Sequence, residues 1–161
     1  MNTISGKIID RTWKRINEAS EEEGQRLLDV MVKQQPFVVA YVMAVEETLM
    51  GEEERGQLIL IGLILWKILS EEKPDLRQIT MDDLTTAETT NLKFLEEMEA
   101  GSEMDHMAGL QNLMATYNQV PLLSAVIEAL MADSEEEPEL ASENIGLALL
   151  HLKSVLDCLD Q

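Results

Sequence analysis

The sequence holds little of what a recognisable reaction centre is built from. It has one cysteine, Cys158, and so no intrachain disulfide, which fits a reducing compartment. Its eight glycines form neither Gly-x-x-x-x-Gly-Lys nor Gly-x-Gly-x-x-Gly. Loops that cradle phosphates are therefore excluded. The acidic runs at 21–23, 52–54 and 135–137 lack the alternating oxygen donors and the glycine of a calcium loop. Aromatic residues make up only 4% of the chain. The longest apolar run, LILIGLILW at 58–66, stops at Lys67, far short of the about 20 residues a membrane span needs. The opening MNTISGKIIDRTWKRI has no apolar run leading to a cleavage site, so no signal peptide is expected. The expectation is a soluble, cytoplasmic protein.

Basic charge is the other shortage. Thirty-one acids face 12 bases, a net charge of −19. Residues 94–161 carry 14 acids and one base, Lys153. Nucleic-acid phosphates and anionic lipid both need basic patches, so neither is expected as a partner. Basic proteins or cations suit the charge better.

What is present points to helices. Hydrophobic residues make up 45%, with ten methionines, and only four prolines interrupt the chain. Leu, Met, Ala, Glu and Gln are good helix formers. No stretch alternates apolar and polar residues between hairpin turns. The expected fold class is all-α: about eight helices in a bundle, one domain over 1–161.

The first helix should run from about Ile4 to Ala19, with Ile9, Trp13 and Ile16 on one face. Lys7, Arg11, Lys14 and Arg15 form a basic face, the only one in the chain. Ser20 with Glu23 reads as a capping box opening a second helix, whose apolar side is Leu27, Leu28, Met31 and Val32. Pro36 suits the first turn of a third, which Gly51 should close. Glu52, Glu53 and Glu54 open a fourth, where the helix dipole favours them. The polar connector 70–80 leads to a fifth helix at about 81–99, capped by Thr80 and Asp83. Ser102 and Asp105 cap a sixth, on which His106, Leu110, Leu113 and Tyr117 align. Pro121 begins a seventh helix. An acidic turn at 133–137 follows, and Pro138 opens an eighth that runs to about Cys158.

The order proline, apolar helix, acidic turn, apolar helix occurs twice. IGLIL at 61–65 matches IGLAL at 145–149, with Gly62 and Gly146 in register. Two pseudo-repeated units are expected, about 1–70 and 80–161. A mid-helix glycine costs about 1 kcal/mol against alanine, so close helix approach is expected at both glycines. The third helix, apolar from Phe37 to Val45, should be enclosed by the other half or by a second chain.

The nearest approach to a metal motif is Glu103-x-x-His106, the pair that projects two ligands in di-iron carboxylate bundles. Such a site needs a second motif, and the other histidine, His151, has Ala148 three residues before it. No metal, cofactor or catalytic residue is expected. The reading is a non-enzymatic acidic interaction or regulatory protein whose partner is a protein, a homodimer included. Lys7, Arg11, Arg15, Phe37, Tyr41 and Trp66 are the interface candidates, with the basic face expected to meet acids such as Glu96, Glu99 and Glu103. The alternatives are an acidic nucleic-acid mimic and a metal- or small-molecule-binding bundle.

Overall fold

A computed structural model describes residues 1–45, 49–136 and 142–161. Eight α-helices and no strand occur among them. They are α1 (Gly6–Asn17), α2 (Glu21–Gln34), α3 (Pro36–Met43), α4 (Glu52–Glu72), α5 (Met81–Ala100), α6 (Glu103–Thr116), α7 (Val120–Glu136) and α8 (Ser142–Leu159).

Their starts follow the cap chemistry. Thr80 and Asp83 form a reciprocal capping box at α5, and Ser102 and Asp105 another at α6. At α2 the Ser20 hydroxyl accepts from the Glu23 N–H at 3.2 Å. Pro36 sits in the first turn of α3, and Val120 precedes Pro121 as the first residue of α7.

Three expected boundaries differ. α3 stops at Met43. Gly51 lies instead at the N-cap of α4 with φ −69°, ψ 172°. That extended backbone is not the left-handed conformation by which glycine closes a helix. Asp133–Glu136 continue α7 rather than forming a turn. Glu137 and Pro138, the expected turn end and α8 start, lie outside the described residues, as do Glu46–Thr48.

The centre is α4 against α8, with α3 packed on α4 and α7 on α8. α1 lies over α4 and α7, α5 over α8 and α3, and α2 over α3 and α4. α4 is buried on every side from Ile61 to Trp66, without a break. A helix apolar all round belongs in such a position. α3 was the other candidate for it, but only Val38, Val39, Tyr41 and Val42 are buried. Phe37, Ala40, Met43 and Ala44 form a bare stripe.

Two buried glutamines fasten the ends of the bundle. Gln35, just before α3, donates to the Arg77 carbonyl at 3.0 Å and accepts from the Ile79 N–H at 2.8 Å. Gln119, just before α7, donates to the Asn2 carbonyl at 3.0 Å and accepts from the Ile4 N–H at 3.1 Å. Each carboxamide thus reads a tripeptide as a neighbouring strand would. Each tripeptide ends in a buried isoleucine, Ile79 or Ile4, one residue before the N-cap of α5 or α1. The bonds cross the molecule: the first half holds the lead-in to the second, and the second holds the lead-in to the first.

The halves share helix order and this clasp. They do not share the placement of their second helix. α2 lies on α3 and α4, while α6 runs along α5. Nor does close helix approach explain the paired glycines. A methyl on Gly62 would sit 3.7 Å from the Val42 side chain, an ordinary contact, and one on Gly146 would meet nothing within 4 Å.

Two outcomes follow, both read by urea denaturation. Gln35→Leu orphans the buried Ile79 N–H and should cost about 1–3 kcal/mol, and Gln119→Leu should do the same at Ile4. An unchanged midpoint in either would remove the clasp from the stability account. Gly146→Ala should stabilise by about 1 kcal/mol.

Candidate functional site

The densest buried polar cluster joins α5, α8 and the α6–α7 junction. Asn91 of α5 is buried. Its amide donates to Ser154 Oγ at 3.1 Å and to Asp157 Oδ2 at 2.9 Å, and its Oδ1 accepts from Lys153 Nζ at 2.8 Å. Lys153 also pairs with Asp157 at 2.8 Å. Its ammonium lies 4.7 Å from the centroid of the Tyr117 ring, a cation–π distance. The Tyr117 hydroxyl donates to Asp157 Oδ1 at 2.6 Å, and Ser154 donates to the Leu150 carbonyl at 2.7 Å. One helical turn before Asp157 puts Lys153 on the same face of α8. Asn91 comes from the facing helix, and Tyr117 from the C-cap of α6.

The chemistry of this cluster is closed. Both hydrogens of the Asn91 amide, both oxygens of Asp157 and the Ser154 hydroxyl are used by one another or by backbone. A satisfied buried network rigidifies the packing around it. Close by, Tyr41 stacks on His151 with ring centroids 4.9 Å apart. His151 Nδ1 lies 2.9 Å from the Leu147 carbonyl, so that nitrogen carries the proton.

Burial pushes the Tyr41 hydroxyl far above its ordinary range, and the Glu88 carboxylate adds to the effect. Burial does the same to Tyr117, reinforced by Asp157. The Cys158 thiol is pushed up to about 11 by burial first, then by Asp83 and Asp157. It is a poor thiolate and a poor nucleophile.

The predicted site residues do not converge. Glu103 is exposed in the first turn of α6 and His106 is half-buried. No three His, Cys, Asp or Glu side chains group as a metal site among the described residues. The basic face of α1 finds acids, but not those expected. Arg15 pairs with Glu71 at 2.7 Å and Lys14 with Glu18 at 3.9 Å. Burial raises the Glu71 carboxyl, but hydrogen bonds from Arg15 and Lys67 outweigh it and hold it below the ordinary value. Lys7 and Arg11 are exposed, as are Glu96, Glu99 and Glu103. Tyr41 and Trp66, 7% and 2% exposed, lie in the chain's own core. Phe37 alone of the aromatic candidates is on the surface.

Sequence reasoning missed a larger surface. None of the 14 residues of α6 is buried. Met104, Met107, Leu110 and Met114 are 82%, 62%, 50% and 51% exposed. At 100° per residue they share one face. The opposite face, with His106, Gly109 and Leu113, turns inward; Gly109 lies so close to α5 that a methyl there would meet Met98 Sδ at 2.9 Å. The signal was legible in principle: α6 has two apolar stripes, and a hairpin partner covers only one.

No helix among the described residues is long and apolar enough to cross a membrane. Compared with protein-family models, with curated proteins and with solved structures, the chain matches none of them.

The tyrosines give a direct check on the cluster. The chain has only two, Tyr117 in the cluster and Tyr41 beside it, so all phenolate absorbance comes from this region. Below pH about 10 both hydroxyls keep their protons, folded or unfolded. Above that the unfolded chain releases them while the folded chain retains them, so stability falls as pH rises. Phenolate absorbance should therefore appear together with the loss of helical circular dichroism. Ionisation near pH 10 with the helices intact would show these hydroxyls to be solvated.

Proposed function

We propose that the protein is a non-enzymatic helical interaction protein that acts by burying bare apolar helix surface against a protein partner. The observation that carries this reading is α6, a capped helix with no buried residue and four large apolar side chains facing outward. A helix of about 12–15 residues is marginal in water on its own. The Ser102–Asp105 capping box and the α5 contact hold it in shape, and its outer face remains bare. Methionine suits a docking surface because its unbranched thioether adapts to differently shaped neighbours. The stripe of Phe37, Ala40, Met43 and Ala44 on α3 is a second bare patch of the same kind.

The saturated network at Asn91 supports the same reading. Its titratable groups are spent on holding helices together, and the high thiol pKa of Cys158 makes it a weak nucleophile. Acidic charge then governs which partner approaches, since complementary fields steer association and fix orientation more than they add affinity.

The fourfold substitution Met104→Gln, Met107→Gln, Leu110→Gln and Met114→Gln tests this. These side chains are exposed and glutamine is a good helix former, so thermal stability should hold. In cell extract the wild-type chain should elute in a complex larger than its 18.1 kDa, and the fourfold variant as a monomer. Light scattering on purified protein shows whether the complex is a homodimer. Identical elution of both chains would sink the reading, as would a stoichiometric metal or a small metabolite that raises the melting temperature.

A further inference from the structure

From charge and shape at α6, we infer that the occupant of this face is a basic amphipathic helix of another protein. The inference rests on the interaction reading above and names the class of partner.

The apolar stripe runs from Met104 to Met114, about 15 Å along the helix axis at 1.5 Å per residue. That length matches about three turns of a second helix, enough for apolar anchors at i, i+3 or i+4, and i+7. The stripe is a ridge of thioethers and one leucine rather than a polar groove. It offers an incoming chain no line of backbone donors and acceptors. An incoming segment must therefore satisfy its own backbone, as a helix does.

The surroundings select the charge. Residues 94–152 contain 12 acids and no lysine or arginine. Five of those acids, Glu96, Glu97, Glu99, Glu103 and Asp105, are exposed at the corner where α5 turns into α6. The Asp105 carboxyl accepts hydrogen bonds from Ser102 that hold it below its ordinary value, so it stays ionised well into acid. The next base in the chain, Lys153, is committed to Asn91 and Asp157. Exposed Lys93 on α5, one turn before Glu96 and Glu97, offsets one of these five charges and leaves the corner strongly acidic. At the other end of the stripe the exposed polar residues, Gln111, Asn112 and Thr116, are neutral. Charge is thus concentrated at the N-terminal end of α6, and the Lys/Arg-rich end of the partner helix lies over the Glu96–Asp105 corner.

A second copy of this chain fits less well. Its basic helix, α1, spends Ile9, Thr12 and Ile16 on its own core. It would bring charge without apolar anchors. Two α6 faces brought together would set two strongly acidic halves side by side.

The test uses a synthetic helix-forming peptide of about 18 residues, with leucine at i, i+3, i+4 and i+7 spacing and lysine or arginine elsewhere. A twin carries glutamate in place of every base. Fluorescence anisotropy measures binding to the purified full chain at low and moderate salt. The basic peptide should bind, and the glutamate twin should not. Binding should weaken about tenfold or more in the fourfold Met/Leu→Gln variant. It should weaken comparably at low salt in Glu96→Gln, Glu99→Gln, Glu103→Gln. That second variant changes no buried residue. Three results would overturn the inference: no binding of the basic peptide, equal binding to the fourfold variant, or equal binding of the glutamate twin. If the extract complex depends on the α6 stripe while the basic peptide fails to bind, the partner class falls and the interaction reading stands. If neither depends on the stripe, both fall.

Discussion

Two buried carboxamides set the frame on which the other contacts depend. Gln35 and Gln119 each hold a lead-in tripeptide by one donated and one accepted bond. A buried N–H left unpaired costs about as much as a lost hydrogen bond. Each clasp therefore fixes where an isoleucine enters the core and where the following helix starts. Ile4 and Ile79 are buried because their backbone has somewhere to bond. The N-caps of α1 and α5, Ser5 and Thr80, follow one residue later. The central pair α4 and α8 supplies nearly half of the buried apolar side chains, but the clasps fix how α1 and α5 lie against it.

Much of this was legible in the residues. Cap chemistry placed α2, α5 and α6, because a serine or threonine with an acid three positions on has few other reasons to be there. The apolar run at 58–66 placed the inner helix α4 by its lack of a wet side. Boundaries failed where a glycine or an acidic run has two possible roles. Gly51 opens a helix instead of closing one, and Asp133–Glu136 lengthen a helix instead of ending it. Gln35 and Gln119 carried no local signal, since their partners lie 44 and 115 residues away.

The candidate site was less legible for the same reason. Asn91, Tyr117, Lys153 and Asp157 are spread over three segments, and only the Lys153–Asp157 spacing is local. The basic face of α1 was correctly located, but Glu71 meets Arg15 through the packing of α1 on α4, which no spacing reveals. On α6 the alignment of His106, Leu110, Leu113 and Tyr117 gave the inward face except at Leu110, which stands half-exposed on the outer stripe. The outward Met face went unremarked because a helix that is apolar on two sides looks, in sequence, like one bound for a core.

The span of the Gln119 clasp bears on how the chain matures on the ribosome. Ile4 leaves the exit tunnel early, yet its hydrogen-bonding partner is polymerised 115 residues later. Until then the Ile4 N–H lacks its Gln119 partner. The lead-in at 77–79 has no such wait, since Gln35 is already made when it emerges. Vectorial synthesis therefore favours the Gln35 closure first. Docking of the amino-terminal strap becomes a late, length-dependent event, tied to completion of the second half.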